Sequence, residues 1–380
     1  MTSLRPASGL RIALVCDWCL PRFGGLELQL VDLARALRAA GHSVDIITST
    51  PGADTLDGIP VRRLRGMRFP YFNFTCSPTQ FREFRAILDS GAFDVVHVQC
   101  GIIAPLAYGC TLIAANKGIP TVVTFHSVYD YLEPALAAIG RLGHASTVPV
   151  AYTAVSTYVA RETSRALGAP VEVLPNGIDA SAWKVPEPHA RGTDEFRLVS
   201  VMRVQVRKRP RDLFKILDAA QRAIGNRTHV TLDIIGDGPE RFIVERLAEL
   251  AGTDRVRVHG RKSREAIHEI FAHCDAFLLP TRMESFGIAA LEAVCAGLPV
   301  ITRRNTGMED FVVHRENGLL CDSWEQMADA VAELATNEPL RARIAQNNRR
   351  ANPPYAWADI VCSAVAQYER AAILQQQVSR

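Results

Sequence analysis

Two carboxylates, Glu284 and Glu292, lie eight positions apart in the segment PTRMESFGIAALEAVCAGLPVI, which runs from Pro280 to Ile301. The pattern predicts that Glu284 lies in a loop and that Glu292 lies inside the helix that follows. Eight residues at the helical rise of about 1.5 Å span roughly 12 Å, which is the reach needed to hold a sugar at one end and a ribose diol at the other. Two solvent-facing acids on an ordinary helix are the alternative, since surface acids are common.

The residues that separate these carboxylates suit a phosphate group. The N–H groups of Phe286, Gly287 and Ile288 are predicted to point out of the helix start, where the partial positive charge of the helix dipole favours a diphosphate. Gly287 would let the phosphate approach the backbone closely, because it has no side chain. Ser285 precedes them and completes the candidate phosphate-binding loop.

Apolar strands flank this loop and helix. The segment FLLP, Phe277 to Pro280, is typical of a strand that is buried on both faces of a parallel sheet, and a second apolar strand follows Gly297 and Pro299. The alternation of strand and helix runs along the whole chain, from the strand Arg11 to Trp18 to the last predicted helix, Trp357 to Leu374. We therefore expect an α/β fold with two doubly wound sheets.

Two motifs follow predicted strands in the first half of the chain. Gly24 and Gly25, in RFGGLE, leave bare N–H groups between the first strand and its helix, although a simple tight turn would explain them as well. His126, in TFHS, comes directly after an apolar strand and could hydrogen-bond a sugar hydroxyl, with a structural histidine as the alternative. Because ligands of such sheets bind at the carboxyl ends of the strands, both motifs are candidate site residues.

Two motifs follow predicted strands in the second half. In VSVMRVQVRKRP, Arg203 and Lys208 come after a strand and before a helix that is predicted to start near Pro210. Their charges could neutralise a diphosphate, and a solvated basic turn is the alternative. Gly236, in IIGDGPE, belongs to a Gly-x-Gly turn of a kind that approaches a nucleotide in many α/β folds and is only a turn in others.

Composition limits the function classes. The chain has 380 residues, a formal net charge of +3 and 48% hydrophobic residues, which predicts a globular protein of two domains and does not favour nucleic-acid binding. No apolar run approaches the ~18 to 20 residues of a spanning helix, and the start MTSLRPASG lacks the apolar core of a signal peptide. We expect a cytoplasmic protein, with peripheral contact at the inner face of the membrane left open.

The nine cysteines indicate a reducing compartment. They are odd in number and scattered through apolar segments, so reduced core thiols fit them better than a disulfide framework. Cys16 and Cys19 form a CxxC pair, but no second pair stands near enough in the sequence to complete a zinc site.

Taken in order, the motifs resemble those of one family. GGLE, TFHS, LPNGID, an Arg and a Lys after the first strand of the second half, IGDGP and ESFGIAALEA are similar to the motifs of the retaining nucleotide-sugar glycosyltransferases of family 4, the glycosyl transferases of group 1. The resemblance runs from about Arg11 to beyond Leu320. It implies the GT-B architecture, in which two facing Rossmann-like domains enclose an inter-domain cleft and a C-terminal helix returns to the first domain.

The resemblance also implies a domain division. Residues 1–180 would form an N-terminal acceptor-binding domain, residues 181–355 would form a nucleotide-sugar-binding domain, and residues 356–380 would be the helix that packs back on the first domain.

The resemblance assigns roles at the donor end. Glu292 would bind the ribose hydroxyls of the nucleotide, and Glu284 would hold hydroxyls of the transferred sugar. Arg203 and Lys208, with the N–H groups of the 286–288 loop, would stabilise the charge that builds on the diphosphate as the glycosidic bond breaks.

Other residues would complete the site. His126 would touch the donor sugar and help to orient the acceptor, and Gly24 with Gly25 would let the acceptor or a phosphate come close to the first domain. Gly260 and Arg261, at the end of the strand VRVHG, would contact the nucleotide base.

Three positions depart from the family pattern. Met202 stands where the family more often has Gly, and Arg209 with Pro210 follows Lys208 where a Gly is common. The chain reads NTGMED at Asn305 to Asp310, where many relatives have a Gly-rich turn ending in Pro-Glu. These changes affect the loops that shape the diphosphate and sugar sites.

The implied reaction transfers a hexosyl or N-acetylhexosaminyl group from a nucleotide sugar to an acceptor hydroxyl with retention of the anomeric configuration. The nucleotide sugar is a co-substrate, and no cofactor is expected. The sequence has no Asp-x-Asp motif placed to bridge a metal to the diphosphate, so we expect a metal-independent enzyme. We expect a UDP-sugar as donor, with a GDP-sugar second.

The acceptor stays open on sequence alone. Arg62 to Pro78 is basic and aromatic, so it could dock an anionic lipid or could be a solvated loop, and Ser127 to Thr147 could bind a sugar ring. A glycan, a lipid-linked carrier and a small alcohol all fit.

The alternative functions are an epimerase or a phosphorylase on the same architecture, or a non-catalytic protein that binds a nucleotide sugar. A dehydrogenase would need Gly-x-Gly-x-x-Gly after its first strand.

Overall fold

Buried apolar strands alternate with helices along the chain, as the sequence pattern predicts. The computed structural model describes residues 9–66, 77–91, 93–101, 104–127, 148–185 and 194–378. The chain divides into two units, one formed by Met1–Gly177 with Tyr355–Arg380 and the other by Ile178–Pro354. Each unit has its own mainly parallel sheet, so the predicted α/β fold with two Rossmann-like domains is confirmed.

The first unit is built on eight strands. They are β1 Arg11–Cys16, β2 Ser43–Thr48, β3 Thr55–Leu56, β4 Ile59–Arg63, β5 Val95–Cys100, β6 Thr121–Phe125, β7 Val150–Ala154 and β8 Glu172–Val173. Its first helices are α1 Gly25–Ala39, α2 Pro78–Ser90, α3 Pro105–Asn116 and α4 Thr157–Leu167. The strand order is β3-β4-β2-β1-β5-β6-β7-β8, and only the β3–β4 pair is antiparallel.

The strands of this sheet end in register. Cys16 of β1 pairs with Thr48 of β2 and with Gln99 of β5, and Cys100 of β5 pairs with Phe125 of β6. The chain segments that follow β1, β5 and β6 therefore lie along one edge of the sheet. The strand order changes direction between β1 and β5, and ligands of such sheets bind outside the carboxyl ends of the strands at this kind of reversal.

The second unit is built on six parallel strands in the order β11-β10-β9-β12-β13-β14. They are β9 Glu195–Val201, β10 His229–Ile235, β11 Val256–Gly260, β12 Ala276–Leu279, β13 Val300–Arg303 and β14 Gly318–Cys321. Its helices are α5 Pro210–Ile224, α6 Arg241–Ala251, α7 Arg264–Phe271, α8 Ile288–Cys295, α9 Trp324–Thr336 and α10 Glu338–Arg350. Here the order changes direction between β9 and β12, so the loops after these two strands share the favoured ligand position.

The last helix, α11 (Trp357–Val378), returns to the first unit as predicted. It packs on α1, β6 and β7. Its buried side chains recur every three or four positions, which is the period of one helix face. These side chains are Ile360, Val361, Ala364, Tyr368 and Ala371.

The described cysteines are free thiols, and all but Cys362 are buried. Burial raises the pKa of both Cys16 and Cys19 above the usual range of a thiol, which disfavours the reactive thiolate. The expected core thiols are thus confirmed. Among the residues that the structure describes, none of the helices combines the length and the apolar composition needed to cross a bilayer.

Candidate functional site

The loop after β12 has the predicted form. Glu284 lies in the loop, Glu292 lies inside α8, and both side chains are buried. Gly287 is the residue that precedes α8, and its φ of +86° lies in the left-handed region. A Cβ at this position would also stand 2.5 Å from Cγ of Met308. Glycine is therefore required here by the backbone conformation and by a neighbouring side chain, apart from any ligand.

The start of α8 is open to an anion in electrostatic terms. Gly287 cannot provide a side-chain cap, and the first turn of α8 contains no acidic residue. The partial positive charge of the helix dipole is therefore not neutralised locally by a side chain of the helix itself. Ser285 and Phe286 are buried just before this turn, so the loop is a packed part of the unit.

Lys208 meets Glu284 in this unit although 76 positions separate them. Its ammonium donates to a carboxylate oxygen of Glu284 in a short ion pair. The hydroxyl of Thr281 donates to the backbone carbonyl of Lys208 over 3.3 Å, which fastens the two loops together. The structure thus brings together one predicted cation and one predicted carboxylate beside the α8 start.

Arg203 and Arg209 complete the basic loop in different ways. Arg203 is exposed, and its side chain makes no hydrogen bond or ion pair within the described part of the chain. Arg209 has a φ of +55°, in the left-handed region, and its guanidinium is paired with Asp212 at 2.5 Å. The positive φ is the physical reason that a glycine suits this position, since a side chain there costs about 1 to 2 kcal/mol.

The Gly-x-Gly turn after β10 packs against the loop after β9. A Cβ on Gly236 would lie 1.8 Å from the carbonyl oxygen of Met202, and one on Gly238 would lie 2.3 Å from that of Val204. The N–H of Val204 donates to the carbonyl of Asp237 over 3.0 Å. Close packing of two backbones accounts for these glycines, and the nucleotide contact of Gly236 stays a prediction.

The end of β11 is close to this turn. The N–H of Gly236 donates to the carbonyl of Gly260 over 2.8 Å, and Gly260 has a φ of +66°. Arg261 follows it and is exposed. The predicted base contacts therefore lie on the same edge of the sheet as the Lys208 loop.

In the first unit, Gly24 and Gly25 stand at the start of α1. A Cβ on Gly24 would lie 2.3 Å from a carboxylate oxygen of Glu27, which is buried. Arg22 pairs with Glu27 at 3.1 Å and lies over the ring of Trp18 at 4.2 Å. The first glycine thus makes room for the Glu27 carboxylate, and α1 begins without a side-chain cap.

His126 follows β6 and is half-buried. Its backbone N–H donates to the backbone carbonyl of Cys100 over 2.9 Å, and its ring nitrogen Nε2 lies 2.5 Å from Oε1 of Gln99. Burial lowers the pKa of His126 to about 3, so the ring is neutral at physiological pH. Gln99 was not singled out from the sequence; the available signal is a polar residue near the end of an otherwise apolar strand.

Asp17 is a second residue that sequence reasoning missed. It follows β1, it is buried, and its two carboxylate oxygens accept from the N–H groups of Leu106 and Ala107 at 3.0 Å. It therefore caps α3 from another part of the chain. Burial raises the pKa of Asp17 to about 7, although the two N–H donors act in the opposite direction.

Two arginines of the basic acceptor segment have partners within their own unit, and the anionic-lipid hypothesis for this segment stays a prediction. Arg62 pairs with Asp45 at 2.9 Å. The guanidinium of Arg63 donates to the backbone carbonyls of Leu20, Thr50 and Ala53 at 2.7 to 3.0 Å. Residues 67–76 and 128–147, which hold the rest of both acceptor segments, lie outside the described residues.

Metal ligands do not gather in the described ranges. No group of three or more His, Cys, Asp or Glu side chains among those residues could hold an ion. Metal independence stays a prediction.

Two family models match the chain, one in each half. The model for Glycosyltransferase Family 4 matches residues 23–182. The model for Glycosyl transferases group 1 matches residues 181–351, which includes Lys208, Glu284 and Glu292.

Similar proteins match most of the chain. D-inositol 3-phosphate glycosyltransferase of Xylanimonas cellulosilytica is 27% identical, over 92% of this chain and 92% of its own length. A GDP-mannose-dependent alpha-(1-6)-phosphatidylinositol monomannoside mannosyltransferase of Mycobacterium tuberculosis is 29% identical, over 85% of this chain and 89% of its own. The crystal structure of Anabaena Alr3699/HepE in complex with UDP and glucose shares the fold, with a TM-score of 0.71 at 19% identity, covering 94% of this chain and 98% of that one.

Proposed function

Since this chain belongs to the family 4 glycosyltransferases of group 1, with the GT-B fold, we propose that it is a retaining enzyme that moves a hexosyl or N-acetylhexosaminyl group from a nucleotide sugar to an acceptor hydroxyl. The family makes the chain a glycosyltransferase, which sets aside the epimerase, phosphorylase and non-catalytic alternatives. The observation that best supports the donor end is the Lys208–Glu284 ion pair beside the uncapped start of α8.

In this proposal, each site residue binds a different part of the donor. Glu292 accepts hydrogen bonds from the ribose hydroxyls, and Glu284 accepts them from hydroxyls of the sugar. Lys208, Arg203 and the N–H groups at the α8 start face the diphosphate. Because Lys208 and Glu284 neutralise each other, the net positive charge offered to the diphosphate comes from Arg203 and the helix dipole, with Lys208 shared between two anions.

The proposed step keeps the configuration of the anomeric carbon. The bond from that carbon to the phosphate oxygen breaks, and its electron pair stays on the phosphate. The acceptor oxygen forms the new bond on the same face, and its proton passes to the departing phosphate oxygen. Glu284 is not the nucleophile in this scheme, since Lys208 holds its carboxylate and its task is to bind the sugar.

We propose that catalysis needs no metal ion, because cationic side chains and a helix dipole are present where the diphosphate would bind. Turnover should survive extensive dialysis against EDTA within about twofold. A loss that Mg²⁺ or Mn²⁺ restores would contradict the proposal.

For the donor nucleotide we propose uridine diphosphate, with guanosine diphosphate as the competitor because one similar protein is named for GDP-mannose. A thermal-shift screen against UDP-glucose, UDP-N-acetylglucosamine, GDP-mannose and ADP-glucose separates them. A ligand at a hundred times its Kd stabilises the folded state by about 2.7 kcal/mol, which is readily measured.

For the acceptor we propose a hydroxyl of an inositol, either as a free inositol phosphate or as the head group of a phospholipid. One similar protein is named for D-inositol 3-phosphate, and another is named a phosphatidylinositol N-acetylglucosaminyltransferase subunit. Release of nucleoside diphosphate on adding myo-inositol phosphate, but not on adding vesicles of phosphatidylinositol, would identify the free form. We also propose a cytoplasmic location, with peripheral membrane contact in the case of the lipid acceptor.

The test of the site is the Glu292→Ala variant. At a donor concentration below the wild-type KM it should lose most turnover, because the loss of a charge-assisted hydrogen bond of about 1.5 to 3 kcal/mol raises the KM for the donor while the fold is kept. Glu269→Ala, at an exposed position of α7, is the matched control and should leave turnover unchanged. Equal turnover in both variants would contradict the ribose role of Glu292.

A further inference from the structure

Gln99 holds a fixed position beneath His126. It lies on β5, where it is paired with Cys16 on one side and with Thr124 of β6 on the other, and it is 2% exposed. A side chain that is buried on a central strand has little freedom to turn. Its Oε1 stands 2.5 Å from Nε2 of His126.

The direction of this hydrogen bond determines which ring nitrogen of His126 carries the proton. With its oxygen toward the ring the amide accepts, so His126 Nε2 is the donor. The amide nitrogen of Gln99 is buried without a hydrogen-bond partner among the described residues. In a neutral imidazole the other nitrogen, Nδ1, then has a lone pair and no proton.

We propose that Gln99 is a positioning residue that holds His126 in the tautomer with a proton on Nε2 and a lone pair on Nδ1. The proposal rests on the proposed glycosyltransferase function and on the contact of His126 with the donor sugar that the family resemblance implies, and it adds what His126 presents to the substrate. Gln99 itself does not touch the reacting atoms.

The neighbouring histidine cannot take over this bond. His97, two positions before Gln99 on β5, has both ring nitrogens engaged, Nδ1 with the hydroxyl of Tyr368 at 2.9 Å and Nε2 with that of Thr124 at 2.7 Å. Burial lowers the pKa of His97 to about 3, so this ring is neutral as well.

The tautomer has a consequence for specificity. A lone pair on Nδ1 accepts a hydrogen bond, so the sugar substituent that faces His126 must be a donor, such as a hydroxyl. A carboxylate or a carbonyl at the same place would set two acceptors against each other, which costs free energy. The enzyme should therefore prefer a donor sugar whose substituent facing His126 is a hydroxyl to a uronic acid that places its carboxylate there.

The direct test is ¹⁵N NMR of the ligand-free full chain, with ¹⁵N-labelled histidine and assignment by the His126→Asn variant. We expect Nδ1 of His126 to resonate as an unprotonated nitrogen and Nε2 as a protonated one at pH 7. A protonated Nδ1 would overturn the proposal. Because this measurement needs no substrate, it is independent of the donor and acceptor.

Two substitutions at Gln99 should affect His126 differently, one through its tautomer and the other through its pKa. Gln99→Leu removes the acceptor, so we expect a mixture of tautomers and a fall in kcat of about tenfold with little change in the donor KM. Gln99→Glu keeps an acceptor and so keeps the tautomer. Its carboxylate raises the pKa of His126, and turnover is then lost as the pH falls through that raised pKa, because Nδ1 gains a proton.

The wild-type enzyme should show no such loss of turnover above about pH 5, since the pKa of its His126 is about 3. Thr111→Val is the matched control, because it removes a buried hydroxyl of the same unit that donates to the Ala107 carbonyl and has no contact with His126. It should keep both the wild-type turnover and the wild-type pH profile. Identical pH profiles for Gln99→Glu and wild type would overturn the proposal.

Failure of this inference can be told apart from failure of the proposed function. If His126→Asn keeps full turnover with UDP-glucose and GDP-mannose as donors, the contact of His126 with the donor sugar that the family resemblance implies is wrong. If that variant loses turnover while the NMR shows a proton on Nδ1, the function stands and the role of Gln99 is wrong.

Discussion

The ammonium of Lys208 donates to the carboxylate of Glu284, and each of these side chains is less than one-sixth exposed. The pair is therefore largely withdrawn from water before any ligand binds. Removing one member leaves the other with an uncompensated charge in a partly dry site, which generally costs about 3 to 5 kcal/mol for a fully buried pair.

This pair predicts opposite effects on the binding of a nucleoside diphosphate. Glu284→Gln removes a negative charge and frees Lys208, so the affinity for UDP or GDP should rise while turnover falls. Lys208→Ala removes the cation, so affinity and turnover should both fall at least tenfold. Calorimetric titration with UDP and GDP measures the affinity of both variants. An equal loss of affinity in Glu284→Gln and Lys208→Ala would contradict the shared role of Lys208.

Substitution of Gly287 should cost more than backbone strain alone. Gly287→Ala combines a φ of +86° with a contact of 2.5 Å to Met308, whereas Gly168→Ala has a φ of +65° and no atom within 4 Å of the new Cβ. We expect Gly168→Ala to lower the free energy of unfolding by about 1 to 2 kcal/mol and Gly287→Ala to lower it further. Urea unfolding of both variants measures the difference, and equal losses would argue against the Met308 contact.

A buried chain of hydrogen bonds predicts the effect of Tyr368→Phe. Thr153 donates to the Val123 carbonyl, so Thr124 must donate to Thr153 and accept from Nε2 of His97, and Tyr368 must donate to its Nδ1. The variant leaves Nδ1 as a buried acceptor without its donor. The free energy of unfolding should fall by about 1 to 3 kcal/mol at pH 7.

The matched control for that variant is Tyr152→Phe on β7, whose ring packs on that of Phe125 with the ring centroids 6.3 Å apart. A loss as large in Tyr152→Phe as in Tyr368→Phe would mean that the hydroxyl of Tyr368 has no special role.

Asp17 predicts a dependence of stability on pH. Its pKa is about 7 in the folded chain and near 4 when unfolded, so the folded state binds the extra proton between these values. The stability that this group contributes is present below about pH 4 and is lost as the pH rises towards 7. Asp17→Asn does not titrate, so its stability relative to wild type should improve from pH 4 to pH 7.

Unfolding by urea at pH 4.5, 5.5, 6.5 and 7.5 measures that difference. Other groups titrate in the same window, with His97 and His126 acting in the opposite direction, and they cancel in the comparison of the two proteins. A difference that does not change with pH would contradict the raised pKa of Asp17.

The strands and helices, and one loop of the candidate site, could be predicted from the sequence. Apolar runs identified the central strands, because parallel strands are buried on both faces, and the segment from Glu284 to Glu292 adopts the predicted loop and helix. The helix start at Pro210 was also predicted, since proline suits the first helical position.

What the sequence could not provide was the partner of each polar side chain. Arg63 resembled a cation available to a lipid, yet three backbone carbonyls of its own unit surround its guanidinium, and those carbonyls meet only after the loops fold. Gln99 gave little signal for a similar reason, because its partner His126 is 27 positions away on the next strand. Strand order and register, which no local pattern encodes, decide such pairs.

The composition of the first unit has a consequence for how the protein is made. Its sheet precedes Ile178–Pro354 in the chain, whereas α11, which packs on α1 and reaches His97 through Tyr368, follows that segment. The whole of Ile178–Pro354 is synthesised in between. We therefore expect the apolar surface of α1, β6 and β7 that α11 covers to stay exposed throughout that interval, so that the second unit can finish folding first.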